Sequence, residues 1–347
     1  MSKIFVAGWG AVSPAGWNVA ALRYALDKGE PLPAQALARP GWDKPLRARL
    51  APNPPARPEF LSHPRLRRTS PITHYAAAAA IEAVAGLRTN PATKNCRLGT
   101  VVCLQSGCVQ YSCRFYDETL KNPATASPLI FPETVYAAPA SHVAALLGNV
   151  ALAYSLVGDP SAFLQGVALG VQWLEENRVD ACLVIGAEET NWIMADALWH
   201  LDRRAIVTAG AGALCLCREA TLSAGVELAA VTDAHTFSAR QNRTQAAQAM
   251  RQQLGKSSPG ELLCDGIGDS PRTDAAELAA WRDWAGPRVS PKKILGEGLM
   301  AAAAWQCVAA CDAVAGGRFA AASVSLVGSS QQAMGARFTA VAQASCL

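Results

Sequence analysis

The chain is short of the features that would place it in several common classes. No run of eighteen apolar residues occurs, although 51% of its 347 residues are hydrophobic, so no membrane-spanning helix is predicted. No charged leader with an apolar signal core opens it. The start MSKIFVAGWG reads as a strand, and a cytoplasmic location is the expectation. No Cys-x-x-Cys pair exists among the eleven cysteines, which fall mostly inside apolar strand or helix patterns. Free buried thiols are therefore expected in place of a disulfide framework. Cys103, Cys108 and Cys113 are spaced by five, a period of neither helix nor strand, without histidine or acidic company, so no metal site is expected. The glycines after the first strand (Gly8, Gly10, Gly16) lack Gly-x-Gly-x-x-Gly spacing and a proline intervenes, which argues against a dinucleotide site. No cofactor is expected.

What is present is apolar mass, enough for one large α/β body or two fused halves. The net charge is only +4, but it is unevenly spread: seven arginines and one lysine lie among seven prolines between Arg39 and Arg68. This predicts an exposed basic arm, residues 31–68, with little regular structure. It is either a solvated loop or a docking surface for an acidic partner. Nucleic acid is disfavoured by the sparse aromatic interleaving.

Strands are predicted at Lys3 to Ala7, Leu98 to Leu104, Val150 to Val157, Ala181 to Ile185 (ended by Gly186), Ala213 to Cys217 and Ala320 to Val327. Cys215 and Cys217 then share one face of their strand. Helices are predicted at Val19 to Asp27, Pro71 to Val84, Ser161 to Asn177, Arg240 to Gly260 in part, and Leu299 to Ala315. In the third helix Phe163, Val167, Val171 and Leu174 recur at helical spacing. Asp159 caps it and Pro160 stands in its first turn. The helix-then-strand layout recurs near the C-terminus, which suggests two related halves about a pseudo-twofold. The division is placed at 1–218 and 219–347.

Several motifs together resemble the β-ketoacyl synthases. They are Gly8-Trp9-Gly10-Ala11-Val12-Ser13-Pro14-Ala15-Gly16, Arg67-Arg68, Ser141-His142-Val143-Ala144, Asp180 through Glu188, and Gly210-Ala211-Gly212. Cys264-Asp265-Gly266-Ile267-Gly268-Asp269-Ser270-Pro271 running on to Asp274 and Glu277, and Ser290-Pro291-Lys292 running on to Glu297, complete the set. The resemblance implies a thiolase-like α/β fold: two βαβαβαββ halves in five layers, αβαβα. Counting from His142 forward and from Asp180 backward puts the family's catalytic cysteine at Pro160. Its two catalytic histidines fall at Gly266 and Glu297. Proline has no nucleophilic atom, glycine no imidazole, and a carboxylate accepts where an oxyanion needs a donor.

The resemblance further implies that Asp274, Glu277 and Lys292 are retained supporting residues and His142 a structural histidine. His63, His74, His200 and His235 match no catalytic position. Phe131 and Phe163 are tunnel candidates, and the family's gating phenylalanine falls near Ala205. Ser161 and Cys264 are alternative nucleophiles for rebuilt acyl-transfer chemistry; helix capping is the simpler role for Ser161. An inactive chain with this fold resembles the chain-length factors of type II polyketide systems, and its turn Gly158 to Phe163 looks most like those of aryl polyene clusters. The implied partners are an active ketosynthase, paired through Val150 to Val157, and an acyl carrier protein. A structural scaffold is the remaining alternative.

Overall fold

A computed structural model describes residues 3–341 apart from 92, 94, 95, 239, 240, 259 and 269. Arg240, Asp269 and Cys346 thus lie outside the described residues. The first half runs β1 (Ile4–Val12), α1 (Val19–Lys28), β2 (Gln35–Leu37), β3 (Leu46–Arg49), α2 (Pro71–Thr89), β4 (Leu98–Leu104) and α3 (Val109–Lys121). It continues with α4 (Ala138–Leu147), β5 (Val150–Val157), α5 (Ala162–Glu175), β6 (Ala181–Glu188), α6 (Trp192–Leu201), β7 (Val207–Thr208) and β8 (Gly210–Cys217). The second half has β9 (Val226–Val231), β10 (His235–Thr236), α7 (Arg243–Leu254), β11 (Leu262–Cys264), α8 (Pro271–Ala280) and β12 (Arg288–Val289). It closes with α9 (Pro291–Leu295), α10 (Met300–Ala315), β13 (Ala321–Val327) and β14 (Gln332–Ala340).

The sheet order repeats. In the first half it is β5-β4-β6-β8-β1, and in the second β12-β11-β13-β14-β9. Each half places its third strand beside its second, then its fourth, fifth and first. In both, the first two pairings are parallel and the last two antiparallel. The halves join where β1 meets β9 antiparallel, Phe5 opposite Glu227. Taking α2, α4 and α5 in the first half against α7, α8 and α10 in the second, both read βαβαβαββ.

Burial explains the layering. Every residue of α10 from Met300 to Val314 is buried, as a helix packed between two sheets must be. It touches β6 and β8 on one side and β13 and β14 on the other. Beside it α5 buries Phe163, Val167, Val171 and Leu174, the face predicted from their spacing. α2 and α4 cover the outer face of the first sheet, α7 and α8 that of the second, so the order is αβαβα. Among the described residues no helix is long and apolar enough to cross a membrane.

Three sequence expectations need correction. β6 does not stop at Gly186: it runs to Glu188, with Gly186 paired to Gly212 on β8. The glycine is there because a Cβ would collide with the Met300 carbonyl oxygen of α10. β1 likewise runs past Ala7 to Val12, since Gly8 and Gly10 let the backbone of α2 approach. The basic arm is neither structureless nor uniformly exposed. β2 and β3 form a three-stranded sheet with β7. Arg39 is held by Asp196 and stacks on Trp42, and Arg49 is buried with Nε donating to the Leu32 carbonyl.

Candidate functional site

The turn between β5 and α5 carries Asp159, Pro160 and Ser161, all buried. Its conformation is set by Asp159, whose Oδ1 accepts from the Ser161 Oγ at 2.6 Å and the Ser161 amide at 3.2 Å. Its Oδ2 accepts from the Gln331 amide at 2.9 Å, in the β13 to β14 turn. Asp159 therefore ties the head of α5 to the second half of the chain. Ser161 is the residue just before the helix, but contrary to the expected capping role its hydroxyl bonds the Asp159 carboxylate and no helix amide, and among the described residues no imidazole meets it.

Gly266 follows β11. Its amide donates to Glu277 Oε1 at 3.1 Å, and a Cβ there would stand 3.2 Å from Glu277 Oε2 and 3.6 Å from Gln306 Oε1. The space beside Gly266 is thus occupied by those two side chains. Glu277 is buried, and burial with the neighbouring Asp265 charge pushes its carboxyl up to about 8. Asp265 is itself raised by burial, although Ser290 Oγ at 2.6 Å and Arg288 at 3.1 Å hold it.

Glu297 precedes α10 and is doubly engaged. Its Oε2 lies 2.8 Å from Lys292 Nζ and its Oε1 accepts from the Leu299 amide at 2.9 Å. Leu299 has φ 48°, a left-handed conformation that costs a leucine about 1 kcal/mol or more. The Glu297 carboxylate is what holds it. Burial lowers the Lys292 pKa, but the charge and hydrogen bond of Glu297, with Glu277 and Asp274 beyond, more than offset this, and the net shift is upward. Asp274 Oδ1 accepts from the Gly268 amide at 3.1 Å. Asp274, Glu277, Lys292 and Glu297 therefore form one cluster with the strand end at Gly266. Ala205 lines the crevice beside Glu297, a space of about 10 Å³ that holds a single water at most.

The N-terminus of α10 joins this cluster to the turn at Pro160. Met300 Cε reaches the neighbourhood of Gly158, and Met300 donates its amide to Glu188. Glu188 ends β6 and also accepts from the Gln105 amide at 2.6 Å and the Ser106 amide at 3.1 Å. Burial raises its carboxyl to about 7, against those hydrogen bonds. Sequence reading passed over this clamp and its neighbour Glu189, which accepts from Ser70 Oγ at 2.6 Å and the Ile72 amide at 2.9 Å. Two adjacent glutamates closing an apolar strand were the available signal.

The remaining candidates are dispersed. Cys264 is fully buried and its thiol is pushed well above the ordinary range. Phe163 is wholly inside the core, against Gly186, whereas Phe131 is half exposed and packs on Phe115. His142 bonds Glu133 at 2.9 Å. His63 accepts from the Arg65 amide, His74 meets the Leu66 carbonyl, His235 meets Gln253, and His200 faces Asp196. Each of the five histidines is thus engaged away from Pro160 and Ser161. Among the described residues no group of three or more His, Cys, Asp or Glu could hold a metal ion.

The comparisons with known proteins agree with this layout. The family described as "Beta-ketoacyl synthase, N-terminal domain" matches residues 1–198. No curated protein matches the chain. Among solved structures, a beta-ketoacyl synthase from Burkholderia phymatum STM815 is similar at TM-score 0.81 and 16% identity, over 98% of this chain and 100% of that one. A chain of the ishigamide ketosynthase/chain length factor is similar at TM-score 0.78 and 18% identity, over 98% and 99%. A chain of the ketosynthase ApeO in complex with its chain length factor ApeC, from Xenorhabdus doucetiae, is similar at TM-score 0.79 and 15% identity, over 98% of both. At such identities the structural likeness is one of fold. With the family matched over 198 of 347 residues and its fold kept to the last strand, the chain belongs to the β-ketoacyl synthase family.

Proposed function

We propose that this chain is a non-catalytic member of its family, a chain-length factor that pairs with an active ketosynthase and shapes the acyl tunnel during carrier-bound polyketide or polyene elongation. What supports this reading is that the family's motifs, laid on this sequence, put its three catalytic positions at Pro160, Gly266 and Glu297. Thioester formation needs a thiolate, and malonyl decarboxylation needs neutral donors at the developing oxyanion. Losing one such donor costs about 3 kcal/mol of barrier. Rebuilt chemistry at Ser161 or Cys264 is disfavoured by the Asp159 bond to the one and the full burial of the other.

The surface supports a partner. Among the described residues β5 pairs only with β4 and so ends the sheet, and Tyr154 and Val157 on it are each 52% exposed. An unpaired apolar edge strand invites pairing with another chain. A groove of about 760 Å³ runs beside it, lined by Leu156, Leu169, Trp173 and Met334. On the first half, Arg67, Arg68 and Arg114 line a cleft of about 360 Å³, suited to an acidic carrier protein. We take 1–218 and 219–347 as the two halves, with 31–68 inserted in the first, because the strand order repeats across that division. A cytoplasmic location fits the partners.

Co-expression with a ketosynthase of the same system, followed by sizing of the complex and assay of each chain alone, tests the reading. A heterodimer that condenses while the isolated chain does not is the expected result. Condensation by this chain alone, abolished by Ser161→Ala or Cys264→Ala, would end it.

A further inference from the structure

Between α1 and the outer edge of the second sheet lies a cleft of about 330 Å³ that shares no lining residue with the crevice at Glu297. Its floor is apolar, with Leu22 and Leu26 of α1 facing Val308 and Ala309 of α10. Leu22 and Val308 are almost completely buried, so the floor is a fixed part of the core. Its rim is charged: Arg23, Arg288 and Arg318 stand against Asp27 and Asp312.

The rim is ordered by one buried acceptor. Asp312, 5% exposed, takes Arg23 Nε at 2.7 Å and Nη2 at 2.5 Å, and Arg318 Nη2 at 3.1 Å. Arg318 Nη1 reaches Asp27 at 2.8 Å, and Arg288 is held from behind by Asp265 at 3.1 Å. Both Asp312 oxygens are thereby occupied, while Arg23 Nη1 bonds no described residue. Donors remain at the rim, and each Asp312 oxygen already accepts from a guanidinium. A guanidinium locked in orientation by a bidentate carboxylate is preorganised to bind a second anion.

We propose that this cleft binds a small monocarboxylate whose apolar body fills the floor between α1 and α10 and whose carboxylate meets the arginine rim. At the volume a water takes in the liquid, about 30 Å³, the cleft admits roughly ten non-hydrogen atoms. Octanoate has that size and is the probe.

Isothermal titration of the purified chain with octanoate, and separately with the uncharged 1-octanol, tests it. Saturable octanoate binding is expected, at least tenfold tighter than 1-octanol, reduced about tenfold by Arg23→Gln and lost in Leu26→Trp. Leu26 is the partly buried member of that floor, so the bulkier ring fills the cleft. The comparison of the two ligands uses the unaltered chain and needs no variant. Absence of saturable octanoate binding, equal affinity for 1-octanol, or undiminished binding in Leu26→Trp overturns the proposal.

Discussion

Lys292 Nζ and Glu297 Oε2 sit 2.8 Å apart with side chains 9% and 16% exposed, so an ion pair closes the approach to the head of α10. The carboxylate also holds the Leu299 amide in its left-handed turn at the head of α10. Removing it leaves a buried ammonium without its partner. Glu297→Gln is expected to destabilise the chain by about 3 kcal/mol in urea unfolding. The pair Lys292→Met with Glu297→Leu should lose less than the two single changes added together. Additive losses would show that the two groups do not act as a pair.

Glu188 and Glu277 give a signature in pH. Their folded carboxyls lie at about 7 and about 8, chiefly because burial disfavours the charged form, and both stand above the usual unfolded value near 4.3. A group whose folded pKa is raised binds protons more tightly in the native state. Its contribution is complete below the unfolded value and is lost as pH rises through the folded one. Stability should therefore decline between about pH 4 and pH 8, and Glu277→Gln should flatten the upper part of that decline. Urea midpoints across the range measure it, and a slope unchanged by Glu277→Gln would count against a protonated Glu277.

Gly186 marks where β6 and α10 come together. A methyl group there meets the Met300 carbonyl oxygen, which is backbone and cannot swing aside, and lies 2.9 Å from both the Ala304 Cβ and the Phe163 ring. Overpacking of this kind costs roughly 1 to 3 kcal/mol. Gly186→Ala is expected to fall at the upper end, read as a lower urea midpoint with an unchanged slope. Gly29→Ala is a poor control because its φ is 70°. Ala168→Ser on the exposed face of α5 should be near neutral.

The edge strand can be closed without touching the fold. Tyr154→Lys and Val157→Lys place charges on β5 where the side chains face outward. Each variant alone should stay within about 0.5 kcal/mol of the parent, as surface changes do. Co-purification with a ketosynthase partner should drop at least tenfold. Undiminished co-purification would move the interface away from β5.

The periodicity of the sequence by itself located most of the body of the fold. β4, buried throughout, and β5, an edge strand, both begin and end where their apolar runs predict, because polar turns bound each run. The face of α5 is equally legible from Phe163, Val167, Val171 and Leu174. The family resemblance named Asp274, Glu277, Lys292 and Glu297 one by one, and the structure places all four in one cluster.

Only the tertiary structure decided what lies far apart in the chain. Gly186 reads locally as a strand end, and the passage of α10 across it is what lets β6 continue. Arg39 and Arg49 read as an exposed basic run, and their burial depends on Asp196, Trp42 and the Leu32 carbonyl. Arg23 and Asp312 are separated by nearly the whole sequence, and no local pattern can pair them. Hydrophobic period is a property of neighbours along the chain, whereas the partner of a buried charge is set by which elements the two sheets press together.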